Sequence, residues 1–304
     1  MTRVTSLLQD TLNAKNAVLE KTLSTLIPEV SEAEGHLFTA MRYAALNGGK
    51  RLRPFLTLTA AEMFHVNTVS AFRVAAAIEM VHCYSLIHDD LPSLDDGLLR
   101  RGKPACHRQF DEATAILAGD ALLSRAFDVL SAPETHADPA VRCALVSELA
   151  GASGPHGMVG GQMIDLLAER VSHTENTVDI AAITRMHHMK TGQLISFSCT
   201  AGAILGKAAP QVRQALQAYA HDLGITFQII DDLLDVEGHS TQTGKSHGKD
   251  AANGRVTFVT LLGAQRAREQ AVILGEQALS HLKIFDSEAN LLRDVVAYVL
   301  ERSH

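Results

Sequence analysis

The sequence predicts an all-α fold, and three observations lead to that prediction. Only 8 Pro and 21 Gly interrupt the 304 residues, and most of the intervals between them are rich in Ala and Leu. Apolar residues in these intervals recur three or four positions apart, which is the spacing of one helix face. No comparable run alternates apolar and polar residues, as a half-buried strand would.

Turn residues divide this helical pattern into successive elements. The loops at 131–138, 170–176 and 238–252 are short or moderate, and none resembles an interdomain linker, so residues 1–304 are predicted to form a single domain. The helices predicted in chain order span about 3–26, 31–46, 53–65, 70–91, 109–130, 138–152, 158–168, 177–205, 210–236, 255–282 and 286–302.

Composition narrows the possible functions. Hydrophobic residues make up 46% of the chain, so a large core can form. The formal net charge of -7 argues against a general nucleic-acid or anionic-membrane surface. No signal-peptide stretch and no run of about 20 uncharged apolar residues is present, which predicts a cytoplasmic protein without membrane insertion. The four cysteines form no CxxC pair and are predicted to be reduced, buried thiols: Cys83, Cys106, Cys143 and Cys199.

The first cluster of acids, Asp89–Asp96 (DDLPSLDD), follows a long apolar helix. His82, Ser85 and Asp89 are separated by three and four residues and therefore share one helix face. Pro92 lacks an amide hydrogen and clashes with the carbonyl four residues back, so the helix should end or kink before it. The carboxylates are therefore predicted to lie at an opening beside a helix end.

The second cluster, Asp231–Asp235 (DDLLD), shows the same arrangement about half a chain later. Gly238 is the predicted stop of its helix. One polar helix face is formed by residues spaced three or four apart: Gln228, Asp231, Asp232 and Asp235.

Both clusters violate a local preference, because the helix macrodipole is negative at the C-terminus and disfavours carboxylates there. Either cluster alone could be a solvated cap or a set of salt-bridge partners. Two matching violations favour a shared function. Crowded carboxylates are tolerated where a cation lies among them, and hard oxygen ligands suit Mg²⁺ bridged to phosphate.

Local groups of cations supply the other half of a diphosphate site. Gly48–Pro54 (GGKRLRP) places three positive charges beside flexible backbone, and Arg100–Lys103 (RRGK) follows the first acidic cluster. Arg can grip phosphate oxygens with two donors, whereas Lys acts as a mobile point charge. Gly244–Lys245 and Lys249–Asp250 add cations in a Gly-containing loop.

Taken together, these segments resemble the short-chain trans-polyprenyl diphosphate synthase family. The resemblance runs from about residue 35 to 270 and includes both acidic clusters, in the family's order. It implies the isoprenoid synthase fold, a helical bundle around a central substrate cavity, and a homodimer. The other matching blocks are Gly48–Pro54, Arg100–Pro104, Gly161–Asp165, Lys190–Gly192 and Phe227–Gln228.

The resemblance also implies how the substrates are held. An allylic diphosphate would be bound through Mg²⁺, with three ions per site, and by cationic side chains from Arg100, Lys190 and Lys245. Isopentenyl diphosphate would be held without metal by Lys50, Arg53, His82 and Arg101. The implied metal ligands are Asp89, Asp90, Asp95, Asp231 and Asp235.

Neutral dipoles should line the position of the allylic carbocation, since a full carboxylate there would be alkylated. By resemblance these are the Thr191 hydroxyl, the Lys190 carbonyl and the Gln228 oxygen. The alternatives are a helix-interior Thr bonded to its own backbone and a buried amide pair.

Product length is predicted from Tyr84. It lies five residues before Asp89, about 7.5 Å down the helix axis, where an aromatic ring could close the hydrocarbon tunnel. This feature looks like bacterial farnesyl diphosphate synthases, with geranylgeranyl or geranyl diphosphate synthase as the alternative product class. Ordinary helix packing is the other explanation for the ring.

Two positions depart from the family pattern. Leu98 stands where many relatives have Asp, and Arg255 where they have Lys, which makes its diphosphate contact less secure. A terpene cyclase would not need the metal-free cations, and its pocket would be expected to be richer in aromatic residues than the 5% found here. A non-catalytic partner subunit would be expected to lose ligands, whereas both acidic clusters are complete.

Overall fold

The computed structural model describes residues 3–171, 179–237 and 256–302, and it confirms the all-α prediction. The helices run in the order α1 Arg3–Leu26, α2 Gly35–Ala45, α3 Leu52–Met63, α4 Thr68–Asp89, α5 Cys106–Gln109, α6 Glu112–Ser131, α7 Pro139–Ser153, α8 Met158–Val171, α9 Ile180–His187, α10 Gln193–Leu205, α11 Pro210–Glu237, α12 Phe258–Leu262, α13 Ala264–His281 and α14 Asn290–Glu301.

Helix α4 carries the first acidic cluster and is buried on nearly every side. Its N-cap is Asn67, whose side-chain oxygen accepts hydrogen bonds from the amides of Val69 at 2.9 Å and Ser70 at 3.4 Å. Every residue from 74 to 81 is buried. The helix ends at Asp89, as the following proline predicts.

The core consists of two clusters of buried apolar side chains, and α3 and α10 contribute to both. Leu58 and Leu194 pack in the first cluster with α4, α6 and α7. Phe55 and Ile195 pack in the second with α11, α13 and α14. Because α10 contacts both α4 and α11, it connects the two helices that carry the acidic clusters.

The helix predicted over 177–205 is continuous from Ile180 to Leu205, but a π-helical turn that was not predicted, His188–Gly192, lies within it between α9 and α10. Close backbone packing accompanies this turn. A Cβ added to Gly224 of α11 would lie 3.2 Å from the Cα of Gly192, and one added to Gly161 of α8 would overlap the backbone of Lys190. Turns of this type are frequent at functional sites.

Two other departures follow from residues with left-handed backbone. The helix predicted over 255–282 is broken at Gly263, whose φ is +79°. It therefore forms two helices, the short α12 before this glycine and α13 after it. A two-strand hairpin, β1 Leu99–Arg100 with β2 Lys103–Pro104, was not predicted. Its two-residue turn has φ of +51° at Arg101 and +77° at Gly102, the conformation that suits tight hairpins.

The cysteine prediction is correct for three of the four thiols. Cys83, Cys106 and Cys199 are free and buried, whereas Cys143 is free but exposed. In the parts of the chain that the structure covers, no helix has both the length and the apolarity needed to span a bilayer.

Candidate active site

The first acidic cluster lies in a loop that folds back onto the end of α4. The amide of Asp95 donates to the carbonyl of Asp89 at 2.9 Å, and the amide of Asp96 donates to the carbonyl of Leu91 at 3.1 Å. These bonds hold the third acid of the cluster beside the first, so the loop presents Asp89 and Asp95 together.

Asp90 is buried and forms an ion pair with Arg100, whose side chain is partly exposed. Its carboxylate is bound in a bidentate manner, with Nε to Oδ2 at 2.9 Å and Nη2 to Oδ1 at 2.5 Å. A side chain on Gly97 would overlap Asp90 Oδ1, so glycine leaves room for the pair. Both oxygens of Asp90 are thus engaged by Arg100, and its predicted role as a metal ligand stays a prediction.

Asp89 has an electrostatic environment suited to a cation. Burial raises its pKa to about 6, the charge of Lys190 opposes that rise, and the nearby carboxylate of Asp95 adds to it. Lys190 lies in the π-helical turn, and its Nζ donates to Asp165 Oδ2 at 2.6 Å. A positive charge among these acids would lower the pKa of Asp89 again.

The second acidic cluster divides into a structural acid and exposed acids. Asp232 is buried, and it accepts hydrogen bonds from Gln228 Nε2 and from the amide of Phe258, both at 3.0 Å. Asp231 is different, since 54% of its side chain is exposed. Asp235 is partly exposed on the same helix.

The π-helical turn connects the two clusters. Thr191 Oγ1 lies 3.5 Å from Gln228 Oε1 on α11, at the limit of a hydrogen bond. The preceding residue, Lys190, is close enough to Asp89 to influence its pKa. The π-helical turn therefore has one residue near the end of α4 and the next beside α11, and the lining of a carbocation by these groups stays a prediction.

A second, cationic site lies next to this space. It is a cavity of about 140 Å³, defined here as the cationic pocket. The four residues predicted to bind a diphosphate without metal all line it: Lys50, Arg53, His82 and Arg101.

Two of these side chains have surroundings that an anion in the cationic pocket would suit. Burial and, after it, the charge of Arg53 lower the pKa of His82 to about 3, so the imidazole is neutral near pH 7. Burial also lowers the pKa of Arg53. Arg53 Nε is buried without a hydrogen-bond partner among the described residues, which is a cost that a bound oxygen would remove.

The sequence reasoning missed Arg302, which lines the cationic pocket from the end of α14. Its guanidinium lies over the ring of Phe227 at 4.0 Å and donates to the Phe227 carbonyl at 2.9 Å. It also donates to Asp231 Oδ1 at 3.1 Å. Arg302 therefore links the cationic pocket to the second acidic cluster.

Arg51 and Glu79, also missed as site residues, form a buried ion pair in the wall of the cationic pocket. For each of these two residues, the sequence offered only the character of its own segment as an indication of function. Arg51 belongs to the basic segment Gly48–Pro54, and Glu79 is the one acid within the apolar run of α4.

Tyr84 lies on α4 below the first cluster, where it is 6% exposed. Its ring meets that of His88 edge to face with centroids 5.5 Å apart. Burial raises the pKa of Tyr84 to about 12, and the charge of Asp89 contributes to the rise. Leu98, the departure from the family pattern, is exposed.

Two predicted site residues, Lys245 and Arg255, lie outside the described residues, as does the predicted helix stop at Gly238.

Comparison with known proteins gives a consistent result. A family profile described as polyprenyl synthetase matches residues 34–291. The chain is 40% identical to farnesyl diphosphate synthase of Geobacillus stearothermophilus, over 96% of this chain and 97% of that one. It is 43% identical to farnesyl diphosphate synthase of Escherichia coli K12, over 86% and 88%. The crystal structure of an FPP/GFPP synthase from Zymomonas mobilis is 43% identical, with a TM-score of 0.87 and coverage of 97% and 99%.

Proposed function

The chain belongs to the polyprenyl synthetase family, and we propose that it condenses isopentenyl diphosphate with dimethylallyl or geranyl diphosphate, giving farnesyl diphosphate as its main product. It is thus an enzyme that transfers prenyl groups. The allylic substrate would bind in the acidic site and isopentenyl diphosphate in the cationic pocket.

The observation that carries this proposal is that two differently built anion sites meet at Arg302. That guanidinium lines the cationic pocket and bonds Asp231 of the second acidic cluster. A condensation binds two diphosphates side by side and ionises one of them, whereas a terpene cyclase binds a single diphosphate. The pocket of Lys50, Arg53 and Arg101 therefore favours condensation.

The acidic site fits magnesium. Asp89 and Asp95 are held together by their loop, and the raised pKa of Asp89 reflects burial and a neighbouring carboxylate that a cation would offset. Asp231 offers an exposed carboxylate from α11. These carboxylates would hold Mg²⁺, which would supply positive charge to stabilise the departing diphosphate. Ligation by Asp90 and Asp235, and the number of three ions, stay predictions.

The protein's cations complete the leaving-group site. Lys190, oriented by Asp165, and Arg100, oriented by Asp90, place positive charge beside the allylic diphosphate. The allylic carbon–oxygen bond breaks, and its electron pair leaves with the diphosphate. The predicted contacts of Lys245 and Arg255 belong to the same proposal.

The delocalised cation that remains is stabilised by neutral dipoles. The Thr191 hydroxyl lies 3.5 Å from the Gln228 oxygen on α11, and the Lys190 carbonyl belongs to the same π-helical turn as Thr191. They offer partial negative charge without a nucleophilic carboxylate. Unlike Asp232, they carry no formal charge that would quench the cation.

Isopentenyl diphosphate is held in the cationic pocket by Lys50, Arg53, His82 and Arg101. The double bond of this substrate attacks the allylic cation and forms the new carbon–carbon bond. A proton is then lost, with the released diphosphate as acceptor, which restores a double bond in the elongated product. Neutral His82 serves as a hydrogen-bond donor, since its lowered pKa removes the positive charge.

The proposed product length rests on Tyr84. Its buried ring lies one and a half helical turns below Asp89, where it would stop the growing chain. The Zymomonas mobilis relative is named for two products, FPP and GFPP, so product length needs to be measured for this chain.

One experiment tests the function. The purified chain is incubated with Mg²⁺, isopentenyl diphosphate and labelled geranyl diphosphate, and the products are separated by chromatography after removal of the diphosphate. Farnesyl diphosphate is expected as the main product. A longer main product would support the geranylgeranyl alternative, and no elongated product would reject the condensation.

A homodimer and a cytoplasmic location are part of the same proposal. Sedimentation velocity of the purified chain checks the first, and cell fractionation checks the second. A sedimenting species with the 32.7 kDa mass of one chain would contradict the dimer.

A further inference from the structure

We propose that Glu79 is a positioning residue for the cationic pocket, where it holds Arg101 in place to bind the diphosphate of the second substrate. This inference rests on the proposed function, because it assigns a role within the site of isopentenyl diphosphate.

Glu79 is the single carboxylate among the described residues that line the cationic pocket. It lies on α4, one turn before His82, and is 1% exposed. Its Oε1 accepts hydrogen bonds from Arg51 Nη1 and from Arg101 Nη2, the latter at 3.3 Å. Two guanidinium groups from different segments of the chain thus meet at one oxygen atom.

The two arginines differ in how firmly they are held. Arg51 is 3% exposed, and its Nη2 also donates to the carbonyl of Ala45 at 2.6 Å. Arg101 lies at the turn of the hairpin with 19% of its side chain exposed, and its Nη1 donates to the carbonyl of Gly48 at 2.6 Å. Arg51 is therefore fixed in the interior, whereas Arg101 has a path to solvent.

The Arg101 side chain passes directly over the backbone of Gly49. A Cβ at this glycine, whose φ is +111°, would lie 2.7 Å from Arg101 Cζ. Glu79 on one side and the Gly48–Gly49 backbone on the other therefore clamp the guanidinium at the mouth of the cationic pocket. Its remaining donors are free to face an anion only while that clamp holds.

The charge of Glu79 is what keeps two like charges together. Burial raises the pKa of Glu79, but neighbouring groups, the guanidinium groups of Arg51 and Arg101 among them, lower it overall, so the carboxylate is ionised. Without that charge, Arg51 and Arg101 would repel each other at close range in a partly desolvated site. Arg101, the one with access to solvent, would move away.

The substitution Glu79→Gln separates this role from a simple charge effect. If no side chain moved, loss of a negative charge would make the cationic pocket more positive and would tighten diphosphate binding. If Glu79 positions Arg101, the same substitution weakens binding. The sign of the change in KM for isopentenyl diphosphate therefore decides between the two.

The test is a double-mutant cycle by steady-state kinetics of the full chain, with Mg²⁺ and geranyl diphosphate. Glu79→Gln is expected to raise KM for isopentenyl diphosphate about tenfold, while KM for geranyl diphosphate changes less than about twofold. The double variant Glu79→Gln with Arg101→Ala should match Arg101→Ala alone within about twofold, because Glu79 acts through Arg101. Glu79→Asp, which keeps the charge, should restore part of the affinity.

Cys83→Ala is the matched control. Cys83 Sγ lies 3.7 Å from the same carboxylate oxygen but is neutral, since burial raises its pKa to about 12. The Cys83→Ala variant is expected to have KM values for isopentenyl diphosphate and geranyl diphosphate within about twofold of the wild type. If Glu79→Gln does not fold, the cycle is run with Glu79→Asp, where the same non-additivity with Arg101→Ala is expected.

A lower KM in Glu79→Gln, additive effects in the cycle, or equal increases in both KM values would overturn the positioning role. These outcomes differ from a failure of the proposed function, which would appear as a wild-type chain that makes no elongated product.

Discussion

The cationic pocket and the acidic site differ in how much of each is assembled in the protein alone. In the cationic pocket, Glu79 already joins Arg51 to Arg101, and a neutral His82 completes the wall. In the acidic site, Asp231 has half of its side chain exposed, and Asp89 has a pKa raised by burial. The cationic pocket is assembled around its own counter-ion, whereas the acidic site, as proposed, would take Mg²⁺ in addition to the charges of Lys190 and Arg100.

This difference teaches how one cavity can distinguish two substrates that both carry a diphosphate. The leaving diphosphate must gain charge stabilisation as its bond breaks, which suits metal ions. The diphosphate of the second substrate stays attached to its carbon, so a pre-formed set of Arg and Lys donors is sufficient. We expect substitutions in the acidic site to lower kcat and substitutions in the cationic pocket to raise KM.

The largest expected effect is that of Asp89→Asn. Loss of this carboxylate should lower kcat about 10³-fold, since it removes transition-state stabilisation at the leaving group. Binding of pyrophosphate to the cationic pocket in the absence of Mg²⁺ should remain within about twofold of the wild type. Steady-state kinetics and titration calorimetry measure the two quantities.

Asp96→Asn is the matched control for that prediction. Asp96 lies in the same loop with half of its side chain exposed and pairs with Arg108 at 2.8 Å. Its φ of +43° is a conformation that Asn tolerates well. Activity within about threefold of the wild type is expected. An equal loss in both variants would mean that the whole loop, rather than Asp89, carries the effect.

The next effect concerns the product. Tyr84→Ala should shift the main product from fifteen to twenty or more carbons, because it removes the ring that closes the cavity below Asp89. Total turnover should fall less than about tenfold, since Tyr84 bonds neither acidic cluster directly. Product chromatography measures the shift, and an unchanged main product would contradict the assignment of Tyr84.

Features that depend on local spacing could be predicted from the sequence. The positions of α4 and α11 follow from helical periodicity, and Pro92 correctly predicts the end of α4. The shared faces of Gln228 with Asp231 and of His82 with Asp89 follow from the same period.

Features that depend on contacts between distant segments of the chain could not be predicted from the sequence. The π-helical turn coincides with the packing of Gly161 and Gly224 against it, and neither glycine is near the turn in sequence. Glu79 lies 28 residues from its partner Arg51, inside a run that otherwise indicates only a buried helix. A pattern based on neighbours along one helix contains no signal for such pairs.

Arg302 tests whether the two sites are linked. Arg302→Ala should raise KM for isopentenyl diphosphate about tenfold, because the cationic pocket loses a charge-assisted donor stacked on Phe227. KM for geranyl diphosphate should rise less than about threefold. The neighbouring exposed residue provides the control, and Glu301→Ala should leave both constants within about twofold. Equal increases in both constants would show that Arg302 serves the acidic site as much as the pocket.

The smallest effect concerns the stability of the pre-formed pocket. The folded pKa of His82 is about 3, below the ordinary value of 6.5. Between these values the unfolded chain binds a proton that the folded chain refuses, so the free energy of unfolding falls as pH falls through this range. His82 alone should therefore cost about 2 kcal/mol of stability at pH 5 relative to pH 7. Gln is neutral at pH 5 and at pH 7. The loss of unfolding free energy between these pH values should therefore be smaller in His82→Gln than in the wild type, by about 2 kcal/mol.

Urea unfolding of the wild type and His82→Gln at both pH values measures this difference, and the remaining histidines cancel in the comparison. A wild type that loses no more stability than the variant would mean that His82 accepts a proton in the folded chain. The charge of the cationic pocket would then change with pH through protonation of His82. In that respect the pocket would resemble the acidic site, whose charge would change on binding a cation. A confirmed difference would instead show that the pocket keeps a neutral imidazole beside Arg53 at a measurable cost in stability, as expected of a site assembled before its ligand arrives.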